Sequence, residues 1–244
     1  MNIPSVNIPS PNIPGRNVMP GDSPTVLSVN LGSIGPRKAG GVTGIDKRPT
    51  DRAVMVIAPG PKGTAGSGLA GDQVCNRRHH GGNDQAVYAY PREDLDDWQR
   101  ELGRTLPNGS FGENLTTLGI DITHSILGET WQLGTDLVLQ VTDPRIPCRT
   151  FADFLGERGW IRRFITTGAT GTYLRVLQPG RVRAGDPVRV LDRPDHGVTV
   201  RTAFRAFTTE PGLLPLLTQV QSLSPQARRT VTNRQPIAVD SDPA

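Results

Sequence analysis

Short runs of apolar residues recur along the chain from residue 25 onward, and most are rich in β-branched or aromatic side chains. Gly, Pro, Asp or Asn bounds most of the runs, which is typical of short strands separated by turns. The pattern predicts a mainly β fold, either a sandwich or a barrel. The predicted strands span 26–30, 54–58, 86–90, 137–142, 173–177 and 188–191. A turn-rich connection predicts that the last two form a long hairpin.

Two helices interrupt this β pattern. The first places Leu95, Trp98 and Leu102 on one face and ends at Gly103. The second is predicted over 151–158, with its aromatic residues on one side. We interpret both aromatic stripes as facing the core.

The pattern of apolar and polar residues changes after Pro194. Residues 200–207 and 213–223 are amphipathic, and 225–232 have the composition of a third short helix. We therefore predict a β domain over 25–193, a small helical appendage over 194–235 and a frayed tail over 236–244.

The first 24 residues contain a five-residue repeat built on Asn-Ile-Pro. Proline removes backbone donors and favours extended backbone, so the segment 1–24 is predicted to be a flexible arm. A proline-rich ligand for a partner is the alternative interpretation, although no basic PxxP pattern supports it.

Composition narrows the function. The chain of 244 residues has 27 Lys and Arg against 23 Asp and Glu, a net charge of +4, and 2 Cys. The charges are interspersed, so neither a nucleic-acid partner nor a membrane partner is expected. Two cysteines argue against a disulfide scaffold. With no secretory signal pattern, we expect a cytoplasmic protein.

Cys148 is the strongest chemical candidate. It follows a predicted strand and two prolines, precedes a predicted helix, and has Arg145 and Arg149 nearby. Neighbouring cations and a helix N-terminus favour the thiolate, which attacks electrophiles and binds soft metals. The local sequence fits an inert, buried cysteine equally well.

A second cluster lies between Asp72 and Gly82 and contains Cys75 and His80. Gly81 and Gly82 allow a close backbone approach, so the loop is suited to holding a ligand against His80. A tight turn before the next strand is the structural alternative. A zinc site that joins Cys75, a histidine and Cys148 is a weaker one, because the spacing is poor.

Two further loops carry polar pairs. Glu113 and Asn114 have the groups to bind a heterocycle edge or to bridge a turn. Lys47 and Arg48 suit an oxyanion, although a solvated loop explains them equally well. No dinucleotide, P-loop, GxSxG or HExxH motif occurs.

Six motifs in order give a specific resemblance: GLAGD, RHHGG, AVYAYP, FGENLTT, VTDPRIPC and GTYLRVLQPGRVRAGD. Together they resemble the MOSC domain, the molybdenum-cofactor sulfurase C-terminal domain, in its YiiM-type branch. The likeness runs over about 26–223. It implies a MOSC-type β-barrel with a few helices. Nothing matches the pyridoxal-phosphate half of full-length sulfurases, so pyridoxal phosphate binding is not expected.

The resemblance also implies the molybdenum cofactor, Mo-molybdopterin, and a set of site residues. Cys148 matches the proposed molybdenum ligand and, with His80 and Lys47, would be catalytic. The residues that would bind the cofactor are Arg48, Arg145, Glu113, Asn114, Gly81, Gly82 and Asp72. Cys75 matches no family-wide pattern and is either incidental or an oxidation partner of Cys148.

The hypothesised reaction is reductive cleavage of the N–O bond in N-hydroxylated bases or amines. The sequence has no flavin, haem or iron–sulfur signature, so a separate electron-donor reductase is expected. A homodimer is left open. The alternatives are a sulfur carrier that uses a Cys148 persulfide and a non-enzymatic cofactor-binding module.

Overall fold

The computed structural model describes residues 23–242, and strands dominate it. Residues 1–22, which hold nearly all of the predicted arm, lie outside the described residues. The strands are β1 Thr25–Gly32, β2 Gly35–Pro36, β3 Val42–Thr43, β4 Lys47–Thr50, β5 Val54–Val56, β6 Val87–Pro91, β7 Leu115–Leu118, β8 Thr130–Leu133, β9 Leu137–Pro144, β10 Thr172–Gln178, β11 Gly180–Val182 and β12 Val188–Asp192. The expectation of a mostly β protein is therefore confirmed.

Eight strands form one mixed sheet in the order β12-β8-β9-β10-β6-β7-β1-β4. All neighbours are antiparallel except β6 and β7, which run parallel. The sheet curls far enough for an isolated bridge to join Thr25 of β1 to Pro187, just before β12. The edge strands β12 and β4 do not pair, however, so the sheet does not close into the β-barrel that the resemblance implies. The contact between the two ends of the sheet is limited to backbone hydrogen bonds that join residues 24–26 to residues 185–188, because the second half of β1 pairs with β4.

The predicted hairpin between the last two strands is also wrong. β10 pairs with β9 and β6, whereas β12 pairs with β8. The connection contains β11, which leaves the main sheet and pairs with β5 in a separate two-stranded ribbon. Turn chemistry alone therefore did not identify the partner strand.

Alternation along β6 separates two hydrophobic clusters. Val87 and Ala89 face an aliphatic cluster, whereas Tyr88 and Tyr90 face an aromatic one. Tyr173 on β10 joins the same aromatic cluster. The alternation thus places two tyrosines from adjacent strands on one face of the sheet.

The helices cover this sheet. They are α1 Arg92–Leu102, α2 Arg149–Leu155, α3 Trp160–Thr167, α4 Val200–Phe207 and α5 Pro225–Asn233, with 3-10 turns at Asn83–Gln85, Ile122–His124 and Pro211–Gln219. Aromatic residues of α1, α2 and α3 fill the aromatic cluster. Apolar residues of α4 and α5 pack into the aliphatic cluster with the sheet, so the C-terminal helices share its core.

The segment after α5 is held in place as far as residue 242 rather than frayed. The Ile237 amide donates to the Phe207 carbonyl (2.8 Å). Asp240 accepts from the Arg149 amide (2.8 Å) at the start of α2. Asp242 accepts from the Ile161 amide (2.6 Å) at the start of α3. Carboxylates suit helix N-termini, so these bonds fix the tail beside Cys148.

Candidate functional site

A cavity of about 400 Å³ lies where several strands end and their loops meet. Lys47 begins β4, Asn114 precedes β7, and Arg145 follows β9. Among the residues predicted for the site, those that line the cavity are Cys148, His80, Lys47, Arg145, Asn114, Gly81 and Asp72. The fold thus brings together residues that lie up to a hundred positions apart in the sequence.

Cys148 occupies the N-cap position of α2 in extended backbone. Its carbonyl accepts the first helical hydrogen bonds, from the Phe151 and Ala152 amides (3.0 and 3.1 Å). The side chain is half-buried, and the thiol is free. A strand end, two prolines and a helix start therefore fix the thiol at the cavity wall.

Lys47 and Asp72 form a buried ion pair on the same wall. The Asp72 carboxylate also accepts from the Gly32 amide (2.7 Å) and from Asn114 Nδ2 (2.8 Å). Burial lowers the pKa of Lys47 below its usual value, although the Asp72 carboxylate opposes this shift. The Asp72 carboxylate is therefore engaged by protein donors, and it positions Lys47 and Asn114.

Arg145 is a buried cation of a different kind. Its guanidinium donates to the Phe111 carbonyl and lies over the rings of Phe151 (4.1 Å to the centroid) and Tyr88 (4.8 Å). Its Nε hydrogen has no acceptor, and no carboxylate pairs with the side chain among residues 23–242. Arginine stays protonated in proteins, so this is a buried positive charge facing a cavity.

His80 lies in the loop between β5 and β6. Burial lowers its pKa to about 4, and the nearby charges of Arg145 and Lys62 act in the same direction. The ring is therefore neutral at physiological pH, and it offers one donor and one acceptor nitrogen.

Two glycines after His80 permit the close packing of this loop. A Cβ on Gly81 would lie 2.6 Å from the Gly66 carbonyl oxygen, and one on Gly82 would lie 2.6 Å from the Lys62 Cα. Both glycines have positive φ, near 80°. Gly81 lines the cavity, whereas Gly82 lies behind it against Lys62.

Glu113 and Arg48 lie outside the cavity lining. Glu113 is fully buried and accepts from the Phe111 amide (2.9 Å) and the Thr116 hydroxyl (2.8 Å), so it closes the loop that carries Asn114. Burial raises the pKa of Glu113 against the pull of these donors. Arg48 is exposed on β4 and pairs with Asp46 (2.8 Å).

Sequence reasoning missed several residues that line the cavity. Tyr88 and Tyr173 form part of its wall, as does Gln85, and Cys75, to which the sequence assigned no role, also lines it. The two-residue period of β6 was the available signal for Tyr88, because it puts that ring on the face opposite Val87 and Ala89. Cys75, which matched no motif, opens onto the same cavity as Cys148.

Within residues 23–242, no group of three or more His, Cys, Asp or Glu side chains is placed to hold a metal ion. The zinc site proposed as an alternative, with Cys75 and Cys148 as ligands, therefore has no matching cluster within these residues. None of the helices over these residues is long and apolar enough to cross a membrane.

Comparison with known proteins identifies the family. The MOSC domain model matches residues 76–189. The uncharacterised protein YflK of Bacillus subtilis is 37% identical over 184 residues, which cover 74% of this chain and 79% of YflK. A reductase of Gibberella moniliformis is 31% identical over 67% of this chain, a match that spans 30% of that protein.

Comparison with a solved structure supports the same family assignment through the similarity of the fold. The crystal structure of YiiM from Geobacillus stearothermophilus superposes with a TM-score of 0.70 at 26% identity. The match covers 86% of this chain and 98% of that one. The chain therefore belongs to the MOSC domain family, as a protein of the YiiM type.

Proposed function

We propose that this protein binds the molybdenum cofactor in the Cys148 cavity and reduces N-hydroxylated bases or amines to the corresponding amines. Membership of the MOSC family supports the cofactor, and the similarity to a protein named reductase supports the direction of the chemistry. One observation carries the proposal: a half-buried thiol and a buried guanidinium, which has no carboxylate partner within residues 23–242, line the same cavity.

The residues present fit an anionic, metal-bearing ligand. Arg145 supplies a positive charge that no described carboxylate neutralises, and its Nε–H is free to donate. Lys47 also reaches the cavity, but Asp72 already compensates its charge. An anion bound beside Arg145 would satisfy the buried cation, which is costly to leave unpaired. Cys148 offers the thiolate that a soft metal prefers.

When bound, the cofactor would supply two-electron oxygen-atom-transfer chemistry. The net reaction consumes R–NHOH, two electrons and two protons and yields R–NH2 and water. The electrons are expected from a separate reductase. In this scheme Cys148 would hold the metal, Arg145 would hold the anionic part of the cofactor, and Lys47 and neutral His80 would donate hydrogen bonds inside the cavity.

The test is metal and pterin analysis of protein expressed in a host that makes the cofactor, followed by reduction of hydroxylaminopurine with a chemical electron donor. Wild-type protein should carry molybdenum and pterin in near-equal amounts and turn over. Cys148→Ser should lose turnover by roughly two orders of magnitude or more. Cys75→Ser is the matched control, because it removes a thiol from the same cavity, and it should keep most of the activity.

Two results would contradict the proposal. Full activity of a cofactor-loaded Cys148→Ser protein would remove the thiol from the mechanism. Wild-type protein with no molybdenum or pterin, but with a cyanide-labile sulfur on Cys148, would instead identify a sulfur carrier.

A further inference from the structure

A second cavity, of about 380 Å³, lies beside the first. The two share several wall residues, among them Cys148, His80, Gln85 and Tyr173. The other walls differ, because the second cavity is bounded by β9 at Asp143 and by residues of the C-terminal helices and tail. The proposed metal ligand therefore stands between two compartments, of which only the first contains Arg145 and Lys47.

Two acceptors at the second cavity lack donors. Asp143 is 9% exposed, and its Oδ1 accepts no hydrogen bond from the described residues. The Oε1 atom of Gln85 is also buried without a donor. A buried carboxylate oxygen without a donor is costly, and a ligand that brings N–H or O–H groups would compensate for it.

The charges around Asp143 leave this acceptor available. The nearby Asp84 carboxylate pairs with Arg175 (2.5 Å). The Lys62 ammonium donates a hydrogen bond to Gln226 of α5 (3.0 Å). Burial raises the pKa of Asp143 to about 6, and Asp84 adds to this shift, whereas a hydrogen bond from Ser224 and the charges of Lys62 and Arg175 oppose it. The carboxylate is thus mostly ionised above neutral pH and short of donors.

The shape and lining of the cavity narrow the ligand class. Tyr173 contributes an aromatic side chain to a wall that is otherwise mostly polar and includes the cations Arg37, Lys62 and Arg149. The volume suits a molecule of one or two fused rings. A planar ligand with an amino or hydroxyamino group would pack against Tyr173 while its donors reach the two unpaired acceptors.

We infer that the second cavity is the substrate compartment, in which Asp143 and Gln85 bind the amino or hydroxyamino group of a planar nitrogen heterocycle beside Cys148. This inference rests on the proposed function for the identity of the ligand as substrate. Asp143 acts here as a specificity-determining residue. The C-terminal helices and tail form one wall of the compartment, through residues that include Gln226 and Ile237.

The experiment uses the full chain without added cofactor and 2-aminopurine, a fluorescent planar base with an exocyclic amino group, as the probe. Its affinity is measured by fluorescence titration, and that of purine, which lacks the amino group, by competition. Asp143→Asn should weaken 2-aminopurine binding by roughly tenfold or more, because a hydrogen bond to a charged group is lost. The same substitution should change purine binding by no more than about twofold.

Two further variants complete the test. Asp97→Asn is the matched control: it removes a carboxylate that pairs with Arg100 on the surface of α1 and lines neither cavity, so 2-aminopurine affinity should stay within about twofold of wild type. Gln226→Trp enlarges a side chain on the α5 wall and should weaken the probe without touching Asp143. It keeps the inference testable if thermal melting shows that Asp143→Asn does not fold.

Three outcomes would overturn the inference: no binding of 2-aminopurine to wild-type protein, equal binding to folded Asp143→Asn, or equal losses for the two bases. None depends on molybdenum. A protein that binds the probe through Asp143 but carries no molybdenum or pterin would instead refute the proposed function and leave the compartment intact.

Discussion

Asp72 holds Lys47 in a buried ion pair and, with its second oxygen, accepts a hydrogen bond from Asn114 Nδ2. The pair makes Lys47 and Arg145, two of the cations that line the cavity, electrostatically unequal. Lys47 is neutralised by a carboxylate that the loop after β5 supplies, whereas Arg145 has no such partner among the described residues. In the proposed function, Arg145 would therefore bind the anionic part of the cofactor, and Asp72 positions Lys47 and Asn114.

Asp72→Asn should destabilise the protein strongly. The substitution leaves the Lys47 ammonium buried without its counter-charge, and breaking a buried pair in this way costs roughly 3–5 kcal/mol. Urea denaturation of wild-type and variant protein measures the difference in the free energy of unfolding. Because Lys47 also loses its anchor, cofactor content should fall in the same variant.

Asp46→Asn is the control for this prediction. Asp46 pairs with Arg48 on the surface, where both side chains are about half exposed or more. Surface pairs contribute roughly 0–1 kcal/mol, so its loss should hardly move the midpoint. Equal effects of the two substitutions would show that the Lys47–Asp72 pair is not structurally important.

Arg145→Met should separate stability from binding. Methionine can occupy the space between Tyr88 and Phe151 without a buried charge, and the removal of an unpaired buried charge offsets the loss of the hydrogen bond to the Phe111 carbonyl. We expect the free energy of unfolding of cofactor-free protein to change by no more than about 1 kcal/mol. Molybdenum and pterin content should fall below a tenth of the wild-type amount. A variant that keeps its cofactor would assign anion binding to another residue.

The sequence predicted the strands with clear alternation or bounding turns, and it predicted α4 over the residues where the helix is found. It missed α3, because Trp160–Thr167 is rich in β-branched and aromatic residues with modest helix propensity. Tertiary packing decides that helix: the Trp160 and Trp98 rings lie 4.6 Å apart between centroids. The local amino-acid composition does not predict a contact between residues so far apart in the sequence.

The site was predicted only in part, because tertiary contacts also decide which side chains face the cavity. Motif residues at strand ends, such as Cys148 and Arg145, line the cavity as a group. Glu113 and Asn114 are adjacent in one motif, yet only Asn114 faces the cavity. Which of two neighbours faces inward depends on the loop closed by Phe111 and Thr116, and sequence spacing does not specify that loop.

Gly82→Ala should destabilise the protein by roughly 2–5 kcal/mol. Its positive φ is unfavourable for alanine, and the new Cβ would lie 2.6 Å from the Lys62 Cα, a backbone atom that cannot rotate away. Thermal or urea denaturation measures the loss.

Gly103→Ala separates the two causes in that prediction. Gly103 also has positive φ, after α1, but a Cβ there meets nothing within 4 Å. Backbone strain alone should cost about 1–2 kcal/mol. If Gly82→Ala costs no more than Gly103→Ala, the loop before β6 is not packed as tightly as the structure indicates.

His80 should titrate near pH 4 in cofactor-free protein. Burial disfavours the imidazolium, and the positive charges of Arg145, Lys62 and His79 add to the effect. The unfolded chain binds this proton at about pH 6.5, so stability is lost as pH falls from about 6.5 through 4, by up to roughly 3 kcal/mol. Histidine NMR signals followed from pH 8 to 3.5 give the midpoint, and His80→Gln assigns the resonance. The pH dependence of unfolding should be shallower in His80→Gln across that window, and a midpoint above 6 would show that the ring is more exposed to water than its position at the cavity wall implies.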